Sequence, residues 1–186
     1  MELLEELILE ILGRVDGGAA LVRCATACKR WHALVADLVR RRHQALMAAV
    51  GVYEAEWALL KVLRPSEVDP DQNRLLLTEQ MVHGGPVPRL FPELELEHDA
   101  YHPLPEAAVI LIDAKAGVEK AATVRYINVR LPYRISGRGW IEFVRGSGIL
   151  EGDRIDLYAG RRRNGERCLL FFNSKVVGVR LHALLQ

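Results

Sequence analysis

The chain holds 186 residues, 50% hydrophobic, 26% charged and 6% aromatic, with 15 Gly and 8 Pro; this balance excludes disorder, collagen and low complexity, and allows one domain or two small ones with a core that needs no disulfides. Three cysteines, Cys24, Cys28 and Cys168, are too few for a disulfide framework, so a reducing compartment is expected. No run reaches the roughly 18 apolar residues of a membrane span, and the acidic opening Met1-Glu2-Leu3-Leu4-Glu5-Glu6 is unlike a secretory leader, so a soluble intracellular protein with no membrane partner is expected.

A net charge of +1 argues against a wholesale polyanion binder, but the charge is spread unevenly. Residues 1–56 carry 7 basic and 8 acidic side chains, residues 57–100 carry 4 and 8, and residues 101–186 carry 14 and 8. The last stretch is thus at +6, the segregation expected where one face meets an anionic partner.

The first 50 residues read as helix. Leu3, Leu4, Leu7, Ile8, Ile11, Leu12 and Val15 recur at three-to-four spacing among Glu5, Glu6, Glu10 and Arg14, which predicts an amphipathic helix stopped by Asp16-Gly17-Gly18. A second helical run, 19–36, puts Leu21, Val22, Cys24, Ala25, Cys28, Trp31, Leu34 and Val35 on a broad apolar stripe, and no proline before Pro65 forces a break. From about residue 57 short β-branched and leucine-rich runs alternate with Pro, Gly, Asp and Asn clusters. Strands are predicted at 58–63, 74–78, 107–113, 123–131, 154–158 and 168–173, with turns at Asp69-Pro70-Asp71, Lys115-Ala116-Gly117 and Asn164-Gly165. Asn-Gly between two apolar runs is the strongest hairpin signal, and Arg161-Arg162-Arg163 before it is expected to decorate the hairpin tip. One helical island, with Trp140, Phe143 and Val144 at helix spacing, closes at Gly146-Ser147-Gly148.

Enzyme signatures are missing from the sequence: no phosphate-cradling glycine loop, no dinucleotide fingerprint and no Gly-x-Ser-x-Gly elbow. Neither catalysis, a cofactor nor a small-molecule substrate is therefore expected. Cys24, Cys28 and His32 are spaced four apart, as ligands on one helical face would be, but a zinc site needs a fourth ligand and the same residues make a small buried stripe, which is the reading taken. His98 and His102 share that spacing, but Pro103 and Pro105 oppose a ligand helix there. No metal site is expected.

The segment Leu3-Leu4-Glu5-Glu6-Leu7-Ile8-Leu9-Glu10-Ile11-Leu12, followed by Leu21-Val22-Arg23-Cys24-Ala25-Thr26-Ala27-Cys28-Lys29-Arg30-Trp31-His32-Ala33-Leu34-Val35, resembles the F-box over about residues 3–45. Leu4 stands where that family usually has proline. The resemblance implies a three-helix module that binds a Skp-family adaptor of a cullin-type ubiquitin ligase. Leu3, Leu7, Ile8, Ile11, Leu12, Leu21 and Trp31 are the candidate adaptor-binding residues, since a short module with more apolar stripe than it can bury wants a partner groove.

Lys61-Val62-Leu63, Pro65-Ser66-Glu67-Val68, Gln72-Asn73-Arg74-Leu75-Leu76-Leu77, Gly139-Trp140-Ile141-Glu142-Phe143-Val144-Arg145 and Gly148-Ile149-Leu150-Glu151-Gly152-Asp153 resemble the plant B-three DNA-binding domain over about 57–175. That resemblance implies an open seven-stranded pseudobarrel with two short helices, which reads the DNA major groove with two arms. Lys61, Arg64, Ser66, Gln72, Asn73 and Arg74 match the first arm, while Thr78-Glu79 replaces the usual Pro-Lys and sets a carboxylate near a polyanion. Arg125, Asn128, Arg130 and Arg134 match the second arm. Interleaved with Tyr126, Ile127, Val129 and Leu131, they are expected on one polar strand face, and Arg and Asn suit guanine and adenine edges.

The expected protein is of the α+β class: a three-helix F-box-like module at 1–50, a B-three-type pseudobarrel at 57–175 and a tail at 176–186. Its expected function is sequence-selective binding of double-stranded DNA in the nucleus, transcription-factor-like, with an adaptor-binding N-terminus. The alternative is a substrate receptor of a Skp-cullin-F-box ubiquitin ligase whose β module binds protein. Glu79 and the near-neutral total favour the alternative; the +6 of the last stretch favours DNA.

Overall fold

The computed structural model describes residues 2–14, 18–27, 29–95, 105–128 and 131–174. The chain divides into two compact units, Met1–Leu46 and Met47–Asn173. Among the described residues no helix is long and apolar enough to cross a membrane.

The first unit is built from α1 (Glu2–Gly13), α2 (Gly18–Ala27) and α3 (Lys29–Ala49), whose final turn belongs to the second unit. Leu12, Leu21, Ala25, Val35 and Val39 form its core, with Ile8, Cys24, Trp31, Leu34 and Leu38 packed around them. Arg42 donates to the Gly13 carbonyl at 2.9 Å, satisfying one of the acceptors that the end of α1 leaves open. Two expectations change here. Gly18 opens α2 instead of closing α1, and the run predicted at 19–36 divides into α2 and α3. Neither Pro nor Gly marks that division, so periodicity alone runs the two helices together.

The second unit is one curled seven-stranded sheet with helices around it, the pseudobarrel of the expected α+β class. Its elements in chain order are β1 (Glu56–Val62), α4 (Pro65–Val68), β2 (Arg74–Leu77), α5 (Glu79–Val82), α6 (Pro86–Leu90), a 3-10 turn (Pro92–Glu95), β3 (Glu106–Asp113), β4 (Val118–Asn128), β5 (Leu131–Ser136), α7 (Arg138–Ser147), β6 (Arg154–Arg161) and β7 (Arg167–Ser174). The strand order is β1-β6-β7-β3-β4-β5-β2. Only the β3–β7 pairing is parallel among those with a defined register; β1–β6, β3–β4, β4–β5 and β2–β5 are antiparallel.

Alternation places Leu75, Leu77, Ala107, Val109, Leu111, Val124, Tyr133 and Ile135 inside. Helix α7 closes the core with Trp140 and Phe143 stacked on Phe171, ring centroids 5.8 and 4.8 Å away. It lies so close to β4 that a Cβ on Gly139 would fall 1.8 Å from the Ala121 carbonyl oxygen, which only glycine avoids.

The strand predicted at 123–131 is two strands. β4 ends at Asn128, the chain turns back, and β5 contains Pro132. Tyr133 is the last β5 residue aligned with β2, opposite Leu77, so Pro132 stands past the end of that pairing and its missing N–H costs no bond to β2. The turns sit where predicted, with Gly117 and Gly165 at φ +68° and +86°. Two helices, α5 and α6, add to those that the resemblance implies, and α5 begins at the departure Thr78-Glu79.

The two outer strands of the sheet, β1 and β2, are tied by one carboxylate. Glu67 pairs with Lys61 of β1 at 2.9 Å, accepts the Leu76 amide of β2 at 3.3 Å and the Arg64 amide at 3.0 Å. The carbonyl of Glu67 accepts the Trp140 indole N–H at 2.8 Å. Truncating Trp140 to Ala therefore removes both a packed ring and this bond, and should cost about 3–5 kcal/mol. The check is the urea midpoint of the β-rich unit in the full chain at unchanged slope.

Candidate nucleic-acid interface

The first-arm residues do not form a donor cluster. Lys61 is corrected outright: its side chain is 5% exposed and paired with Glu67, itself 3% exposed, so it is a buried structural lysine. Asn73 adopts a left-handed backbone, φ 44°, and its Oδ1 accepts the Ile141 amide at 3.2 Å, fastening the loop to α7. Gln72 Oε1 accepts from Arg74 at 2.9 Å. Arg64 is exposed and Ser66 half-buried.

Pairing register shows what the sheet does bring together. Arg125 on β4 stands directly opposite Arg134 on β5, which stands opposite Leu76 on β2. Arg74 is two residues from Leu76, and cross-strand partners share a face. Arg74, Arg125 and Arg134 therefore share the outer face, with the buried Leu75, Val124, Tyr133 and Ile135 on the other. The Nε atoms of Arg74 and Arg134 are buried and find no hydrogen-bond partner among the described residues. Arg125 carries an ion pair with Glu106, its cross-strand partner on β3. The row across the sheet is thus Glu106, Arg125, Arg134, Leu76.

The hairpin end of the expected second arm does not reach the level of Arg74 on this face. Arg74 aligns with Ser136 and Thr123, whereas Asn128 pairs with Leu131 at the hairpin end. Five residues of β4 separate these levels, about 17 Å at ~3.3 Å per residue. Asn128 is the last residue of β4, with its side chain outside the described residues. Arg130 lies outside the described residues, as do Cys28, His98 and His102. Sequence reasoning missed Glu106 because the predicted strand began one residue later; the only available signal was an acidic residue beside an alternating run.

Other basic residues are engaged internally. At the β6–β7 turn Arg161 donates to the Gly165 and Leu90 carbonyls. Arg162 pairs with Glu119 at 2.5 Å and with Glu166, and Arg163 stacks over Tyr53 at 4.5 Å. The expected decoration of the hairpin tip is instead a clasp within the β-rich unit. Glu79 is exposed at the start of α5. Burial, the leading cause, pushes the Cys168 thiol above its ordinary range, and its sulfur donates to the Glu166 carbonyl; this is the profile of a packed thiol and not of a nucleophile.

On the helical unit, Leu7 and Ile11 are 53% and 52% exposed, side by side on α1. Ile8 and Trp31 are half-buried against the core. Leu12 and Leu21 are corrected: at 0% and 4% exposure they are the core itself, and a partner cannot reach them without unfolding the unit. Leu3 stands in α1, with its side chain outside the described residues. Cys24 packs on the same core, as the small-residue stripe predicts.

The F-box-like family profile matches residues 5–45. No curated protein sequence matches the chain. Among solved structures, the chain is similar to the Arabidopsis FUS3-DNA complex at 17% identity, covering 62% of this chain and 96% of that one, TM-score 0.39. It is also similar to the Arabidopsis thaliana transcription factor LEC2-DNA complex at 15% identity, covering 65% and 95%, TM-score 0.39. The fold assignment itself rests on the strand order and pairings of this chain.

Lys61 and Arg64 separate structural from available cations. Lys61→Ala strands the buried Glu67 carboxylate and should cost about 3–5 kcal/mol, whereas Arg64→Ala on the surface should stay within about 0.5 kcal/mol. Urea unfolding of the two variants reads the difference.

Proposed function

We propose that the β-rich unit binds double-stranded DNA on the outer face of β4, β5 and β2, with Arg74 and Arg134 as phosphate ligands and Arg125 beside them. One observation carries the reading: Arg125 and Arg134 stand directly opposite each other across a strand pair. Like charges so placed repel; the single carboxylate of Glu106 offsets part of that repulsion, and an anionic ligand takes up the rest. Arg74 and Arg134 are half-buried and carry no ion pair among the described residues, and a guanidinium fork matches a phosphate in two parallel bonds. The charge excess of residues 101–186 and the resemblance to the B-three domain point the same way. In this reading the protein acts in the nucleus as a regulator of transcription.

The measurement is fluorescence anisotropy of the full chain on random duplex DNA between low and physiological salt. Each phosphate contact contributes about 0.9 to the slope of log affinity against log salt. Arg134→Ala should flatten that slope by about this amount and weaken binding alike on every sequence. A slope indifferent to Arg134 and Arg74 rejects the interface.

A second function attaches to the first unit. The F-box-like profile over residues 5–45, together with the exposed Leu7 and Ile11, supports docking of a Skp-family adaptor on α1. Leu7→Asp with Ile11→Asp should abolish co-purification with the adaptor while the far-ultraviolet circular dichroism of the chain stays unchanged. Adaptor binding without DNA binding by the wild-type chain would favour the protein-substrate receptor.

A further inference from the structure

We infer that Glu106 is an affinity-setting residue of this interface: its carboxylate holds Arg125 and competes with DNA phosphate for it, so that the duplex engages two of the three arginines. The inference rests on the duplex-DNA reading above and deepens it.

The carboxylate is placed by the fold and not by chance of a flexible side chain. Glu106 is the first residue of β3, and the antiparallel register sets it directly opposite Arg125. Arg125 is in turn opposite Arg134. The ion pair is made on the outer face with both side chains part-exposed, 47% for Arg125 and 37% for Glu106, so water and ligand reach it. In the free protein Glu106 offsets the repulsion between the two arginines, since opposite charges across strands stabilise and like charges do the reverse. On DNA the same carboxylate opposes the polyanion. Arg74 and Arg134 have no such competitor among the described residues: Arg74 donates to a neutral amide oxygen, and neither is paired with a carboxylate there. A ligand thus meets two available guanidinium groups at once and a third only by displacing a carboxylate. That arrangement favours a backbone carrying several closely spaced phosphates over an isolated anion.

The test replaces Glu106 by Gln in the full chain, keeping the shape of the side chain and removing its charge. Wild type should show a slope of log affinity against log salt near −1.8, for two contacts, and Glu106→Gln a slope near −2.7, for three. The variant should bind random duplex DNA more tightly at low salt, and DNA should raise its melting temperature by more than it raises that of wild type. Adding Arg125→Ala to Glu106→Gln should return the slope to the wild-type value, which general charge removal would not do. Glu151→Gln, a neutralised exposed carboxylate in the turn before β6, should leave the slope unchanged. Equal slopes for wild type and Glu106→Gln, or a gain that survives Arg125→Ala, overturn the role of Glu106 while leaving DNA binding intact. Absence of binding by wild type and Glu106→Gln at low salt removes the DNA reading itself and this inference with it.

Discussion

The β-rich unit depends on the buried Glu67 carboxylate. A sheet that curls without closing leaves two bare edges, here β1 and β2, and each bare edge carries backbone groups that need partners. Glu67 answers both. Its oxygens take the Leu76 amide on one edge and the Lys61 ammonium on the other, and its own carbonyl takes the Trp140 indole. A buried ion pair is a poor source of stability for its own sake, because desolvation consumes most of the Coulombic gain. Its value here is positional: one four-residue helix, α4, registers two strands and a core helix against each other. Strand β2 carries Arg74 and lies beside Arg134, so the geometry of the charged face descends from this contact.

That face shows how a nearly neutral chain can present an anion-binding surface. The three arginines at the β6–β7 turn are consecutive in sequence, yet carbonyls, carboxylates and a tyrosine ring consume them. What remains on β2, β4 and β5 comes from residues distant in sequence and adjacent only through strand pairing. Local charge density in a sequence and available charge on a surface are therefore different quantities, and pairing register converts one into the other.

Much of the architecture is legible from residue patterns. Trp140 and Phe143 at helix spacing, Asn164-Gly165 between apolar runs and the alternation of β3 each have a local cause that the fold keeps. The misreadings share a different cause. Lys61 looks like a solvated cation because its partner Glu67 belongs to the next element, and nothing local to Lys61 reports that pairing. Leu12 and Ile11 are neighbours in one apolar stripe, but only packing decides that the first is core and the second surface. Asn73 carries a side chain suited to base contacts, yet its left-handed backbone turns it to the start of α7. Pro132 disguised a strand, because a proline is tolerated where one neighbour has already ended.

The same overhang tolerates a change of length. Beyond the Tyr126–Tyr133 pair, β4 and β5 continue together as far as Asn128 and Leu131, past the last β2 residue and past Glu106 where β3 starts. Residues inserted or deleted at that hairpin end would break no pairing with β2 or β3, and lengthening a loop costs only a logarithmic entropy term. A change of length at that end therefore leaves the Glu67 junction, the aromatic core and the arginine face undisturbed.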